Sequence, residues 1–418
     1  MKKSFIILTT LFVFSLGFMG CIKDNCTKTY TYSYFMPVYK TSAEVRANIK
    51  SNAPRDIENP GKLFILGKYI FSNEIDKGIH IIDNSTPTNP VNISFIDIPG
   101  NMDLAVNGKA LYADMYTDMI TLDITDPLNI TVKKYNEGVF PFRQYGYGFN
   151  GDTTKVITDW VRKDTTMVDD CGRTYRDPGI YMDYASLSNS GSNVSSSSPV
   201  GKGGSMARFA LTTNKLYTVS NSDLNVFNVA TAFQPNYITK VNLGNWGIET
   251  IFPMKNKLFI GSQTGMYIYD ITNPNSPVQA GEFSHVRSCD PVIADDEYAY
   301  VTLRSGTACQ GFTNQMEVLK LNNMFDVQLV KTYPMTSPHG LSKDGNLLFL
   351  CDGSDGLKIY DASDVNHIRL LKQFKGLETY DVIADNNIAL VVAKDGFYQY
   401  DYQDENNIRL ISKLGIKN

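Results

Sequence analysis

The chain has 418 residues, 43% hydrophobic and 20% charged, which is enough apolar material for a large core and excludes a disordered polar chain. Its net charge of −4 provides no basic face for nucleic acid, and no nucleic-acid partner is expected. Aromatic residues at 12%, with 25 Tyr and 22 Phe, favour strands over helices.

The first segment reads as a leader. Lys2 and Lys3 precede the apolar run Phe5 to Met19, and Gly20 stands just before Cys21. This is a charged n-region, an apolar stretch short for a bilayer span, and a cleavage site. Phe18-Met19-Gly20-Cys21 resembles a bacterial lipobox, in which the Cys becomes the lipidated N-terminus. Ile22-Lys23-Asp24-Asn25 is similar to the Lys-plus-acidic signal that sends some Gram-negative lipoproteins to the outer surface. Residues 1–20 are therefore expected to be a lipoprotein signal peptide and Cys21 the lipidation site. The chain would be exported to the outer membrane or cell surface and held there by its N-terminal lipid. A plain secretory signal, with Cys21 incidental, is the alternative.

Residues 21–60 read as a tether. TYTYSYFMPVY alternates like a strand that would complete an outer sheet edge, and SNAPRDIENPG reads as linker. Export permits disulfides. Apart from Cys21 the cysteines are Cys26, Cys171, Cys289, Cys309 and Cys351, an odd number, so at least one is free or paired outside the chain. Cys289 and Cys309 bracket a hairpin-sized segment and form the candidate disulfide. No Cys-x-x-Cys occurs, which removes a cysteine-based zinc site.

From residue 61 to 418 one phrase recurs. KGIHIIDNSTPTNPV begins at Lys77, DMITLDITDPLNI at Asp118, SDLNVFNVATAFQP at Ser222 and GMYIYDITNPNSPV at Gly265. QMEVLKLNNMFDV follows at Gln315, DGLKIYDASDVNHI at Asp355 and DGFYQYDYQDENNI at Asp395. Each is preceded by two short apolar strands and followed by a fourth, so each unit describes one four-stranded β-propeller blade. The residues that open the first strands are Lys62, Asp103, Tyr147, Arg208, Glu249, Asp290, His339 and Asp381. They are spaced by 41, 44, 61, 41, 41, 49 and 42, close to the ~40–45 of propeller repeats. The expectation is an all-β propeller of about eight blades, with seven as the alternative and a degenerate third unit around Tyr145-Gly-Tyr-Gly and KVITDWV. Eight Ser between 186 and 198, followed by GKGGS, mark a mobile insertion near 164–205.

The Asp that ends the third strand of most units is expected to accept a backbone N–H two residues on, with Pro274 and Pro277 turning the chain. Because each copy lies in its own turn, a shared metal is not expected. The phrase, best preserved at Ile268–Pro274 and Thr121–Pro127, resembles the LVIVD repeat of secreted and cell-surface prokaryotic proteins. That resemblance spans roughly residues 62 to 415. It implies a propeller and carries no defining activity.

Four His are present, with no His-Glu-x-x-His, Gly-x-Ser-x-Gly or phosphate-binding glycine loop, so zinc-peptidase, α/β-hydrolase and P-loop readings fail and no cofactor is expected. Asp352-Gly-Ser-Asp355-Gly fits a hairpin turn better than a calcium loop. The constellation left is the set of opening residues, which should ring one mouth of the central channel as a candidate ligand-binding site: Lys62, Asp103, Tyr147, Arg208, Glu249, Asp290, His339 and Asp381. Two positions on, Phe64, Ala105, Phe149, Ala210, Ile251, Val292, Leu341 and Ile383 would make the channel apolar. Three functions fit. The first is a surface-anchored, non-catalytic binding or adhesion domain for a glycan or protein. The others are a channel-mouth lyase or hydrolase and a structural subunit of an outer-membrane assembly.

Overall fold

The computed structural model describes residues 27–143, 154–170, 202–244, 247–285, 291–306, 312–323 and 326–417. It contains seven four-stranded antiparallel blades in which order along the chain is order across the sheet. The blades run from Pro60 to Asp97, Leu104 to Asn136, Phe209 to Asn242, Ile248 to Ser284, Val292 to Pro334, Leu341 to Phe374 and Thr379 to Gly415. Their first strands contact one another in succession around an axis, from Pro60–Leu66 and Leu104–Asn107 through to Thr379–Asp385. First and second strands are almost wholly buried, and fourth strands mix exposed with half-buried residues except in blade one, where Ser94–Ile96 is buried. This gradient follows from blades packed face to face, which bury both surfaces of the inner strands.

The repeated phrase is a turn device. In blade four Asp270 Oδ1 accepts from Thr272 N at 2.7 Å, and Asn273 Oδ1 accepts from Asn275 N at 3.2 Å. The same pair of turns recurs at Asp123 and Asp126, at Asp361 and Asp364, and at Asp401 and Asp404. Hydrogen bonds from Thr272 hold the Asp270 carboxyl below its usual range, and those from Ser363 bring Asp361 down to about 2. These aspartates cap turns, as the sequence suggested. Asp270→Ala is expected to lower the urea midpoint only slightly, since one turn-capping bond is lost, and to leave the fold intact. Urea unfolding checks it, and loss of the folded state would require a second role for Asp270.

Neighbouring blades are stitched by tyrosines. Tyr112 Oη donates to Ala232 O at 2.7 Å and Tyr217 Oη to Pro274 O at 3.0 Å, each reaching into the next blade's turn. The ring closes between the last and first blades without strand exchange. Ile57, Leu63, Ile70 and Ile82 pack with Ile383, Leu390, Val392 and Phe397. Asn84 and Gln399 exchange amide hydrogen bonds at 2.9 and 2.8 Å, and Lys417 N donates to Ile57 O at 2.9 Å.

Four expectations are corrected. The ring has seven blades, not eight. Tyr147 lies outside the described residues, and KVITDWV belongs to the long strand Lys155–Asp170, whose partner is Thr27–Thr41. A blade needs two buried faces, and this strand turns polar after Trp160 with Arg162, Lys163, Asp164 and Thr166 exposed. TYTYSYFMPVY is accordingly half of that separate two-stranded sheet. The outer edge of blade one is completed instead by Ser51–Asn52, from the stretch read as linker, with Ser51 opposite Ile96. The serine-rich stretch and Gly201 lie outside the described residues, but Lys202–Gly203, read as part of the same insertion, is a strand paired to the innermost strand of blade one. Cys21, Cys289 and Cys309 lie outside the described residues. Cys351 is a free, fully buried thiol, pushed up by burial.

Candidate functional site

The innermost strands carry the anticipated pattern. Lys62, Asp103, Arg208, Glu249, His339 and Asp381 stand at the same end of blades one to four, six and seven, at or just before the first strand. Two positions on, Phe64, Ala105, Ala210, Ile251, Val292, Leu341 and Ile383 are all buried. Asp290 and Phe149 lie outside the described residues, as does Tyr147.

The ring does not surround open space. Residues 202–207 run through the axis and leave it at Arg208, the first residue of blade three's approach. Lys202 and Gly203 pair with Ile65 and Phe64. Lys202 Nζ reaches Asp385 Oδ1 at 3.1 Å and the Ala384 carbonyl at one end of blade seven's inner strand. Ser205 meets the other end: its hydroxyl donates to Asp381 Oδ1 at 3.3 Å and accepts from Leu341 N at 2.6 Å. Met206 O accepts from Lys62 Nζ, Ala207 O accepts from Ile251 N at 3.1 Å, and Arg208 N donates to Asp103 Oδ2. The segment thus touches blades one, two, four, six and seven, as only an axial strand does.

Its glycines are dictated by this passage. A Cβ on Gly203 would lie 3.1 Å from the Phe64 ring. A Cβ on Gly204 would overlap the Asp381 carboxylate, approaching Cγ to 2.9 Å, and one on Gly340 would do the same from the other side. Asp381 is therefore held between two glycines.

Electrostatics divide the ring into two arcs. On the sealed arc Lys62, Asp103 and Asp381 are only 3%, 1% and 4% exposed. Burial lowers the Lys62 ammonium to about 8, against the attraction of Asp103, Asp381 and Glu249. Burial likewise raises Asp103, and pushes Asp381 up to about 7 despite hydrogen bonds from Val382 N and Ser205. Asp103 accepts from Leu104 N at 2.7 Å as well as from Arg208 N, so protein donors already occupy both of its oxygens.

The second arc, Arg208, Glu249, Arg304 and His339, is half-buried. Arg208 Nη2 donates to Asn221 at 3.1 Å and Gln263 donates to Glu249 Oε1 at 3.1 Å. Arg208 Nε and Glu249 Oε2 are buried with no hydrogen-bond partner among the described residues. Burial and the nearby Arg304 push His339 down to about 3, so its ring is neutral at physiological pH and a weak base. It packs edge-on against Tyr380, centroids 5.5 Å apart.

Sequence reasoning missed Ser205, Arg304 and Asp114. Asp114 accepts from Met102 N and Asp103 N at 2.7 and 2.9 Å and is raised by burial to about 6. Asp114 and Arg304 lie on or beside second strands, off the register that singled out the opening residues. Only the two adjacent glycines hinted at the axial segment. The Asp352 carboxylate accepts from Thr336 N, Ser337 N and Lys358 Nζ, which makes that motif a turn clamp.

No family model and no curated protein matches the chain. Solved structures do match in fold. The periplasmic gluconolactonase of Pseudomonas aeruginosa is similar with a TM-score of 0.54 and 10% identity, over 86% of this chain and 97% of that one. A protein from Lactobacillus plantarum gives 0.53 and 12%, over 85% and 97%. A functionally unknown protein from Desulfotomaculum acetoxidans gives 0.51 and 11%, over 84% and 99%. At these identities the likeness is one of β-propeller fold.

Proposed function

We propose that the chain is an exported lipoprotein, lipidated at Cys21 and held at the outer membrane or cell surface, whose LVIVD-like propeller is a non-catalytic binding or adhesion module for a surface glycan or protein. The axial segment is the observation that supports this reading over a channel-mouth lyase or hydrolase. Catalysis at the ring would need a reachable carboxylate and a base of suitable strength. Here Asp103 and Asp381 are covered by residues 204–208 and His339 is a weak base, which leaves Glu249, raised by burial and hydrogen-bonded to Gln263, as the one reachable ring carboxylate among the described residues. Binding is then a task for the blade faces and turns around the sealed axis.

Glycan-array and peptide-library binding with the mature chain tests the reading. Selective capture that survives His339→Ala is expected. Turnover of an ester or lactone that His339→Ala or Glu249→Gln abolishes would overturn it in favour of the enzyme. Co-purification from membranes tests the outer-membrane assembly, and a chain that always elutes alone argues against it. For the anchor, Cys21→Ala is expected to move the protein from the membrane fraction to the soluble one, since an acyl chain contributes about 0.8 kcal/mol per buried methylene. Retention of that variant through a high-salt and carbonate wash would count against lipidation.

A further inference from the structure

Thr27–Thr41 and Lys155–Asp170 form a two-stranded sheet of their own, and its cross-strand contacts sort it into two faces. One face is polar. Ser33 Oγ donates to Asp164 Oδ1 at 2.6 Å, Arg162 Nη2 donates to Ser33 Oγ at 2.7 Å, and the Thr31 and Thr166 hydroxyls meet at 3.2 Å. By strand alternation the other face carries Tyr30, Tyr32, Tyr34 and Met36. Met167 joins them, accepting from Tyr32 Oη at 3.4 Å, and the Tyr32 and Tyr34 rings lie 6.3 Å apart. Tyr30, Tyr32, Met36 and Met167 are nevertheless 52%, 44%, 42% and 41% exposed. A lone two-stranded sheet is marginal in water and has two open edges, so a face of this kind calls for a cover.

Chain length indicates which. Five residues separate Cys21 from Thr27, and even a fully extended connection spans only about 20 Å. Acyl chains on Cys21 would hold the ribbon at that distance from lipid. Tyrosine suits the water–lipid boundary, with an apolar ring and a polar hydroxyl. The two strands carry five basic and four acidic residues, so a charged surface is not what would draw them. We infer that the tyrosine–methionine face of this ribbon lies in the headgroup region of a lipid bilayer, an inference that rests on reading Cys21 as the lipidation site.

Flotation with vesicles of phosphatidylethanolamine and phosphatidylglycerol tests it, using the mature chain from residue 21 with Cys21→Ala so that no acyl chain is present. The unacylated chain is expected to float with the vesicles, and salt between about 50 and 500 mM should change the bound fraction less than about twofold. Tyr30→Ser, Tyr32→Ser and Met36→Ser together should lower that fraction at least about tenfold with the propeller's unfolding temperature unchanged. Thr31→Ala with Thr166→Ala, on the polar face, should leave it as it was. Failure of the unacylated chain to float, or equal flotation of the triple variant, would overturn the inference. So would a dimer that the triple variant converts to monomer without any flotation, which would assign the face to a second copy. The mass of Cys21 in protein extracted from native membranes separates the two ideas. Acylated Cys21 without flotation removes the ribbon's role alone, and flotation with unacylated Cys21 keeps it and removes the anchor.

Discussion

Replacing Asp381 with Asn is expected to stabilise the propeller above pH 7 while leaving it unchanged near pH 4. Asp381 is 4% exposed, and burial raises its carboxyl from 3.8 to about 7 in the folded chain. Between those values the folded chain holds a proton that the unfolded chain has lost. Asp381's contribution is therefore fully present below about pH 4, falls as pH rises, and is lost above about 7. Asparagine keeps an Oδ1 that accepts from Val382 N, at 2.9 Å in the native chain, and from Ser205, and it never ionises. The advantage of D381N should therefore grow across pH 4–7 to a few kcal/mol at most, on the order of what such a shift is worth.

Lys62 has the opposite sign. Its folded value of about 8 lies below the ordinary 10.5, so between them the unfolded chain holds the extra proton and stability recovers as pH rises. The ring thus contributes least to stability near pH 7–8. Urea midpoints of variant and wild type at pH 4, 6, 8 and 10 check this. A D381N that is less stable than wild type at pH 8, or a difference that does not change between pH 4 and 8, would refute the assignment.

Much of this fold was legible because its signals are local. Asp270 and Asn273 cap consecutive turns within six residues, and the phrase that encodes them recurs in blade after blade. Ring positions followed from the period of two along each inner strand, which is why Lys62 and Phe64, or Asp381 and Ile383, sort as mouth and channel. Non-local pairing left no such trace. Thr31 meets Thr166 across 135 positions, and nothing near KVITDWV announces that its partner is the N-terminal tyrosine stretch rather than a hairpin of its own. An extra blade was read in its place. The axial segment misled for a related reason. Gly203 and Gly204 look like flexibility when judged by composition, yet in the fold they are small because Phe64 and Asp381 stand against them. Whether a glycine confers freedom or permits close approach depends on contacts that sequence does not display.

Valine at Gly204 is expected to expel the axial segment while the seven blades persist. Any Cβ there overlaps the Asp381 carboxylate, which cannot retreat because Gly340 lies against its far side. One of the two must yield. Blade seven's inner strand is paired without a break from Asp381 opposite Val392 to Asp385 opposite Ile388, with Thr379 opposite Ala393 beyond a bulge at Tyr380. The segment is held by a ladder of only two residues, Lys202 with Ile65 and Gly203 with Phe64, and by single hydrogen bonds beyond it. The segment is thus the weaker side, and the overpacking should cost about 1–3 kcal/mol. Amide exchange and proteolysis at residues 202–207 should rise, the unfolding temperature should drop by a few degrees, and the pH trough should shrink as water reaches Asp381. Gly340→Ala makes the useful contrast. Its Cβ would come within 2.9 Å of the Asp381 Cα, a backbone atom, so it should strain the blades themselves and leave the segment's protection tied to global unfolding. If G204V keeps both wild-type stability and wild-type protection, the channel is not closed in the way described, and the ring of Lys62, Asp103 and Asp381 is open to ligands after all.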